Sequence, residues 1–162
     1  MQIAGVLMDS VCGPVQAETE ALHHLSGVLE LDLGRLQTEL LFLKAFAADF
    51  ATSMALGQGP ALQAILQGFY AHWQRIGQQV GEGVTEDLQE RLGLYAEVIG
   101  EPDPRAAGLQ DSVGRAFSRC CRQEREEPEL VILGGAMFGA LFAGISDLLE
   151  DVEVVLREAD HP

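Results

Sequence analysis

Positively charged side chains are scarce in this sequence. Its 162 residues include 10 Lys and Arg against 25 Asp and Glu, so the formal net charge is −15. A chain of that charge repels nucleic-acid phosphates and anionic lipid surfaces at long range. We therefore expect no nucleic-acid partner. Only residues 105–127 escape the excess of negative charge, because they hold five Arg and four Asp or Glu.

The sequence also has few cysteines and no recognisable secretory signal. The chain has three Cys, an odd number, and two of them, Cys120 and Cys121, are adjacent in a helical pattern and point about 100° apart. This excludes a disulfide framework and favours a reducing compartment. No basic residue precedes Arg35, whereas a secretory signal begins with a positively charged region. We expect a cytoplasmic protein.

Strand-like alternation, repeats and long linkers are lacking, and helical periodicity fills the chain instead. The length and the 48% of hydrophobic residues suit one folded domain over 1–162, with an irregular start at 1–17 and a frayed end at 158–162. The predicted fold is an all-α, single-domain bundle of about five to six helices with a buried Gly-rich C-terminal helix. The helical segments run from Glu18 to Leu29, Arg35 to Leu56, Pro60 to Ile76, Thr85 to Gly100, Arg105 to Arg125, and Glu129 onward.

Two of these segments carry the clearest signals. The segment Arg35 to Leu56 is apolar nearly all round, which is typical of a helix in the middle of a core. Gly57 and Pro60 then mark a helix end and a helix start, because Gly favours the position after a helix and Pro its first turn. Thr85 is predicted to cap the fourth segment.

The last segment is uncharged for 17 residues, from Leu130 to Ser146. That run is shorter than the roughly 20 residues that a bilayer requires, and acidic residues flank it on both sides. It therefore predicts a buried helix of a soluble protein, with a bend near Gly144 to Ser146, and we do not expect a membrane partner. Close approach of another helix, within the chain or across a dimer seam, would compensate for its glycines, chiefly Gly135 and Gly139.

Metal chemistry is suggested by two Glu-x-x-His spacings, Glu20 with His23 and Glu158 with His161. Di-iron bundles use that spacing, but they also need carboxylates from two further helices. The second pair lies at the chain end, where ligands are hard to hold rigidly. We therefore favour solvated side chains, with no metal and no cofactor. The alternative is a metal-dependent or other helical-bundle enzyme that uses Glu20, His23 and Asp49.

Catalytic and phosphate-binding motifs are missing as well. No partner His is fixed by a motif near Cys12 or Cys120, so a small buried side chain is the simpler interpretation of Cys120. The glycines at 77, 81 and 83 match no phosphate-binding pattern. No catalytic residue is predicted.

Two surfaces remain as candidate binding sites. Arg115, Arg119, Arg122 and Arg125 share one helical face and could contact an anion or a partner, unless neighbouring acids pair with them. Five aromatic residues could line a pocket for a small apolar ligand, unless they simply fill the core: Phe46, Phe50, Phe69, Tyr70 and Trp73. Lys44 and Asp49 are candidates for a functional pair, because they are charged residues on a helix that is otherwise fit for burial.

The run Gly68-Phe69-Tyr70-Ala71-His72-Trp73, with the helix before it, resembles the helical, acidic chaperones that mature bacterial redox enzymes. The resemblance covers one helix pair. The loop reads Glu101-Pro102-Asp103-Pro104, where that family has a Pro-Asp-His type of signature. From the residues themselves, we expect a non-catalytic helical protein that binds a protein partner, a second copy of itself or a small apolar ligand.

Overall fold

The computed structural model describes residues 3–13, 15–81, 83–123 and 125–159. Those residues form seven α-helices and no strand, so the predicted all-α bundle is confirmed. The helices are α1 (Ile3–Cys12), α2 (Gln16–Leu29), α3 (Leu33–Leu56), α4 (Pro60–Val80), α5 (Val84–Gly100), α6 (Leu109–Arg122) and α7 (Pro128–Ala159). The predicted frayed end extends to His161 and Pro162, which lie outside the described residues, as does Asp160.

Helix α1 occupies a stretch for which the sequence predicts irregular structure. Its buried residues Leu7, Met8 and Val11 lie on one face, which packs against α3 and α4. A helix of ten residues is marginal by itself in water, so this packing stabilises it. The prediction of irregular structure is therefore wrong for residues 3–12.

Helix α3 is the centre of the bundle and contacts each of the other six helices. Its buried residues point in every direction around the helix axis, as the all-round apolar pattern predicts. Asp32 caps its start, because its side chain accepts a hydrogen bond from the backbone N–H of Arg35 at 2.7 Å. The helix ends at Gly57, whose φ of +60° suits glycine, and α4 begins at Pro60 as predicted.

Two hydrophobic clusters lie on different sides of α3. The first joins α2, α3, α5, α6 and α7, and includes Leu36, Leu40, Leu43, Phe46, Tyr95, Phe117, Leu130 and Phe138. The second joins α1, α3, α4, α5 and α7, and includes Leu7, Val11, Phe42, Phe69, Trp73, Leu88, Ile145 and Leu149. Since α3, α5 and α7 contribute to both clusters, the chain packs as one bundle.

The tightest helix contact is between α6 and α7. A Cβ atom added to Gly114 of α6 would collide with the carbonyl oxygen of Val131, and one added to Gly135 of α7 would lie 2.8 Å from the carbonyl oxygen of Gln110. A Cβ atom added to Gly134 would lie 2.7 Å from the ring of Phe117. Glycine on both helices therefore brings the two backbones into contact.

Helix α7 differs from the predicted buried helix. One side packs against α3 and α6, but the opposite side is exposed, and Ile132 on that side is 71% exposed. The helix also continues through Gly144, Ile145 and Ser146 without a break. A buried Gly-rich helix is thus not confirmed.

The same helix is the one described segment, Pro128–Asp151, whose length and apolar composition would suffice to cross a membrane, with a mean hydropathy of 1.8. A core helix of a soluble bundle meets that criterion equally well.

One predicted cap is wrong. Helix α5 begins at Val84 after Gly83, whose φ is +101°, so Thr85 lies inside the helix rather than at its cap. The hydroxyl oxygen of Thr85 instead faces Gly77 of α4, where an added Cβ would lie 2.8 Å away. Contact between α4 and α5, rather than capping, therefore accounts for Thr85.

Candidate functional site

The cleft between α3, α5 and α6 has a volume of about 670 Å³, within the range of small-molecule sites. Three arginines from three helices line it, together with two carboxylates and an apolar wall. Its lining residues are Arg35, Arg91, Leu94, Glu97, Val98, Glu101, Ala116, Arg119, Cys120 and Gln123. In a chain of net charge −15, this is an unusual concentration of guanidinium groups.

Arg91 is held in place by a carboxylate beneath the cleft. Its Nε and Nη2 atoms each donate to one oxygen of Glu39, both at 2.8 Å, and its Nη1 donates to Glu90 at 3.1 Å. Glu39 is 5% exposed, so this two-pronged pair neutralises a buried charge. The hydrogen bond to Glu39 is the main reason that the pKa of Arg91 is raised. Arg91 is thus a fixed part of the wall.

Arg35 and Arg119 are less fully engaged. Arg35 donates from Nη2 to the carbonyl oxygen of Cys120 at 3.0 Å, and no carboxylate of the described residues lies within ion-pair distance of it. Arg119, the residue before Cys120, donates from Nη1 to Glu126 at 2.6 Å. Each guanidinium retains further N–H groups, since an arginine side chain carries five.

Cys120 is the one thiol in the cleft wall, and it is not activated. Burial raises the pKa of Cys120, and the negative charge of Glu39 adds to that effect while Arg91 opposes it. A thiol with a raised pKa is mostly protonated at neutral pH and is a weak nucleophile. Cys120 is therefore poorly suited to act as a nucleophile.

The predicted arginine face of α6 is occupied largely by ion pairs within the chain. Glu126 accepts hydrogen bonds from Arg105 at 3.3 Å, Arg115 at 2.7 Å and Arg119 at 2.6 Å. Arg115 also donates to Asp111 at 3.1 Å. These contacts fix the loop between α6 and α7 on the surface of α6.

The other two predicted arginines point to different places. Arg122 donates from Nη2 to the carbonyl oxygen of Leu29 at 2.7 Å and lies 3.4 Å from Glu127. Arg125 follows α6 and is exposed. Contact of Arg115, Arg119, Arg122 and Arg125 with an external anion or partner remains a prediction, and of the four only Arg119 lines the cleft.

The five predicted aromatic residues lie in two separate clusters. Phe46 and Phe50 stack on each other, with ring centroids 5.9 Å apart, and both stack on Phe138. Phe69 and Trp73 meet edge to face in the second cluster, and Tyr70 packs beside Phe69. The structure therefore does not bring the five side chains to one pocket, and binding of a small apolar ligand there stays a prediction.

Lys44 and Asp49 do not form a pair. Lys44 is 3% exposed, and its Nζ lies 3.0 Å from Glu18 of α2. Asp49 accepts hydrogen bonds from the hydroxyl groups of Tyr70 and Ser53. Burial, followed by the charge of Asp49, raises the pKa of Tyr70. Both suspected charges thus have partners within the chain.

The residues of the alternative hypothesis, a helical-bundle enzyme, lie on two different helices. Glu20 and His23 are exposed on α2, where the side-chain amide of Gln16 donates to Glu20 at 2.9 Å. Asp49 lies on α3. His161 lies outside the described residues, and the side chain of Glu158 is not described. Within the described part of the chain, no group of three His, Cys, Asp or Glu side chains could hold a metal ion.

A second candidate surface is the outward side of α7, which we call the outer face. It comprises Ile132, Ala136, Ala140, Ala143 and Gly144, all exposed and uncharged. Beside it, a groove of about 680 Å³ runs between α7 and the start of α6, where Leu109 is 37% exposed. Exposed acids lie at both ends of the outer face, Glu129 before it and Asp147, Glu150 and Asp151 after it.

Sequence reasoning identified one arginine of the cleft, Arg119, but missed Arg35 and Arg91. These two residues lie on α3 and α5, and each is isolated in the sequence. One signal was present for Arg91, since Glu39 is an acidic residue within an apolar helix and needs a partner. Nothing in the sequence indicates which of the arginines supplies it.

No protein-family model matches the chain, and comparisons with curated proteins and with solved structures find no significant similarity.

Proposed function

We propose that this protein is a non-catalytic binding protein and that the outer face of α7 binds a helix of a partner protein. The observation that carries the proposal is the exposure of an uncharged helix face in a strongly acidic chain. Monomeric proteins rarely expose large contiguous apolar patches, and such patches often mark interaction sites.

The shape of the outer face suits a helix. Alanine and glycine occupy positions 136, 140, 143 and 144 on successive turns, so a second helix could approach the α7 backbone closely. Ile132 and the groove beside Leu109 offer larger apolar contacts at one end. Docking of an amphipathic helix into such a groove is a common mode of recognition.

The charges around the outer face favour a partner with basic residues over a second copy of this chain. Glu129 lies at one end, and Asp147, Glu150 and Asp151 lie at the other. Antiparallel pairing of two α7 helices would place the acids of one copy near the acids of the other, and like charges repel. A helix with an apolar middle and basic ends would instead find opposite charge.

A peptide-binding experiment tests this. The probe is a fluorescent helical peptide with a middle of Ala and Leu and with lysines at both ends, followed by anisotropy, and the control peptide has glutamates in place of the lysines. We expect saturable binding of the lysine peptide and at least about tenfold weaker binding of the glutamate peptide, a difference of about 1.4 kcal/mol. The variants Ile132→Glu and Ala136→Glu should lose binding, because a charge would interrupt the apolar contact.

Val28→Glu is the matched control, because Val28 is 60% exposed on α2. It adds the same negative charge, so unspecific attraction of the lysine peptide would increase in all three variants alike. Equal binding by all three variants would contradict the proposal. So would a parent protein that sediments as a dimer and becomes a monomer on Ile132→Glu, since the outer face would then bind a second copy.

A further inference from the structure

Three charged side chains in the cleft between α3, α5 and α6 have no partner of opposite charge within 4.0 Å in the described part of the chain. They are Arg35, Glu97 and Glu101. The other two charged residues of the lining are engaged, Arg91 by Glu39 and Arg119 by Glu126. The cleft thus presents both signs of unpaired charge on its surface.

The donor groups gather near Cys120. Arg35 donates from Nη2 to the Cys120 carbonyl oxygen, and its other side-chain N–H groups have no hydrogen-bond partner among the described residues. Arg119 precedes Cys120 in the chain and donates from Nη1 to Glu126, and Gln123, one turn later, also lines the cleft. Guanidinium and carboxamide N–H groups are suited to a carboxylate. Such an anion would also reduce repulsion between the two guanidinium groups.

The acidic groups lie at the C-terminal end of α5 and directly after it. Arg91, in the middle of α5, and Cys120, near the end of α6, both line the cleft. Glu97 is six residues beyond Arg91, or about 9 Å along the helix axis, and Glu101 directly follows the last residue of the helix. Leu94 and Val98 of α5 and Ala116 of α6 give the cleft an apolar wall.

We propose that this cleft binds a small zwitterion, a molecule with a carboxylate and an ammonium group joined by a short hydrocarbon chain. Arg35, Arg119 and Gln123 bind the carboxylate, whereas Glu97 and Glu101 bind the ammonium group. The hydrocarbon chain packs on Leu94 and Val98. A simple carboxylate leaves the acidic end unpaired, and a simple amine leaves the Arg35 end unpaired. This site is separate from the outer face of α7, and neither proposal depends on the other.

A matched series of three ligands tests the proposal on the unaltered protein. Calorimetric titrations use 6-aminohexanoate, hexanoate and hexylamine, which share the hydrocarbon chain but carry both charges, the negative one or the positive one. We expect 6-aminohexanoate to bind at least about tenfold more tightly than either of the others. Hexanoate or hexylamine binding as tightly as 6-aminohexanoate would overturn the proposal, as would no saturable heat with 6-aminohexanoate at millimolar concentration.

Variants then assign the two ends of the site. Arg35→Gln should weaken 6-aminohexanoate and hexanoate together. The double variant Glu97→Gln with Glu101→Gln should bind 6-aminohexanoate only as tightly as hexanoate. Its affinity for hexanoate should not fall. The control is Arg75→Gln, because Arg75 is an exposed arginine on α4 without an ion-pair partner among the described residues. If Arg75→Gln weakens binding as much as Arg35→Gln does, the attraction is unspecific and the proposed site is wrong.

Discussion

The two sides of α7 are built from the same kinds of residue but have different surroundings. On the inner side, Gly134, Gly135 and Phe138 are buried against α3 and α6. On the outer face, Ile132 and Ala136 are exposed. Both sides are uncharged from Leu130 to Ser146, so hydropathy does not distinguish them. The difference shows that an apolar helix is buried only where a neighbouring helix with a matching surface reaches it.

The largest effect on this comparison should come from Phe138 on the inner side. Its ring stacks on Phe46 and Phe50, with centroids 6.1 Å apart in both cases. We expect Phe138→Ala to lower the free energy of unfolding by about 3–5 kcal/mol, because it leaves a cavity between α3 and α7. Urea denaturation measures this. Ile132→Ala on the outer face is the control and should change stability by less than about 1 kcal/mol. Similar losses in both variants would mean that the two sides are not different.

The next effect concerns the contact between the α6 and α7 backbones. Gly114→Ala should lower the free energy of unfolding by about 2–3 kcal/mol, since the new Cβ would collide with the Val131 carbonyl and two helices must move apart. Thermal melts compare it with Gly93→Ala on α5, where an added Cβ meets nothing within 4 Å. That control should be neutral or stabilising by up to about 1 kcal/mol. A Gly114→Ala protein as stable as the parent would exclude the close contact.

The same substitution on the two sides of α7 gives a sharper comparison. Gly135→Leu should cost about 1–3 kcal/mol, because the Gln110 carbonyl oxygen lies only 2.8 Å from the Cβ position. Gly144→Leu should be neutral or stabilise by up to about 1 kcal/mol, because Gly144 has open space and leucine favours helices. Parallel melts with sedimentation of both variants measure the two effects. Destabilisation by Gly144→Leu would indicate that the outer face is already covered, for instance by a second copy.

The smallest effect on stability is expected at Ile132 itself. Ile132→Glu should change the free energy of unfolding by less than about 0.5 kcal/mol, because a glutamate at this exposed position remains in water. The same variant should lose binding of the lysine-ended helical peptide. Urea denaturation together with anisotropy separates the two properties. A loss of several kcal/mol would show that Ile132 contributes to the fold rather than to binding.

Much of the helical framework could be predicted from the sequence. Gly57 and Pro60 gave the boundary between α3 and α4, and the all-round apolar pattern gave the central place of α3. Helix α1 could not be predicted, because its stability depends on packing against α3 and α4. The predicted cap at Thr85 is wrong because only the local sequence suits a cap, whereas the contact of Thr85 with Gly77 is tertiary.

The candidate cleft was less accessible to prediction than the helices. Arg119 was recognised on α6, but Arg35 and Arg91 come from helices whose arrangement around Glu39 no spacing reveals. The predicted arginine face and the predicted aromatic group share one difficulty. Residues can be assigned to a helix face from periodicity, but the partner of that face lies elsewhere in the chain.

By itself, the sequence determined the all-α class, the acidic charge and most helix boundaries, because these depend on local periodicity, caps and composition. Tertiary structure alone decided which side of α7 is buried, which carboxylate pairs with Lys44, and which arginines meet in one cleft. The physical reason is that burial and ion pairing depend on contacts between residues far apart in the chain. For example, a Cβ atom at Gly114, Gly134 or Gly135 would collide only because α6 and α7 pack against each other.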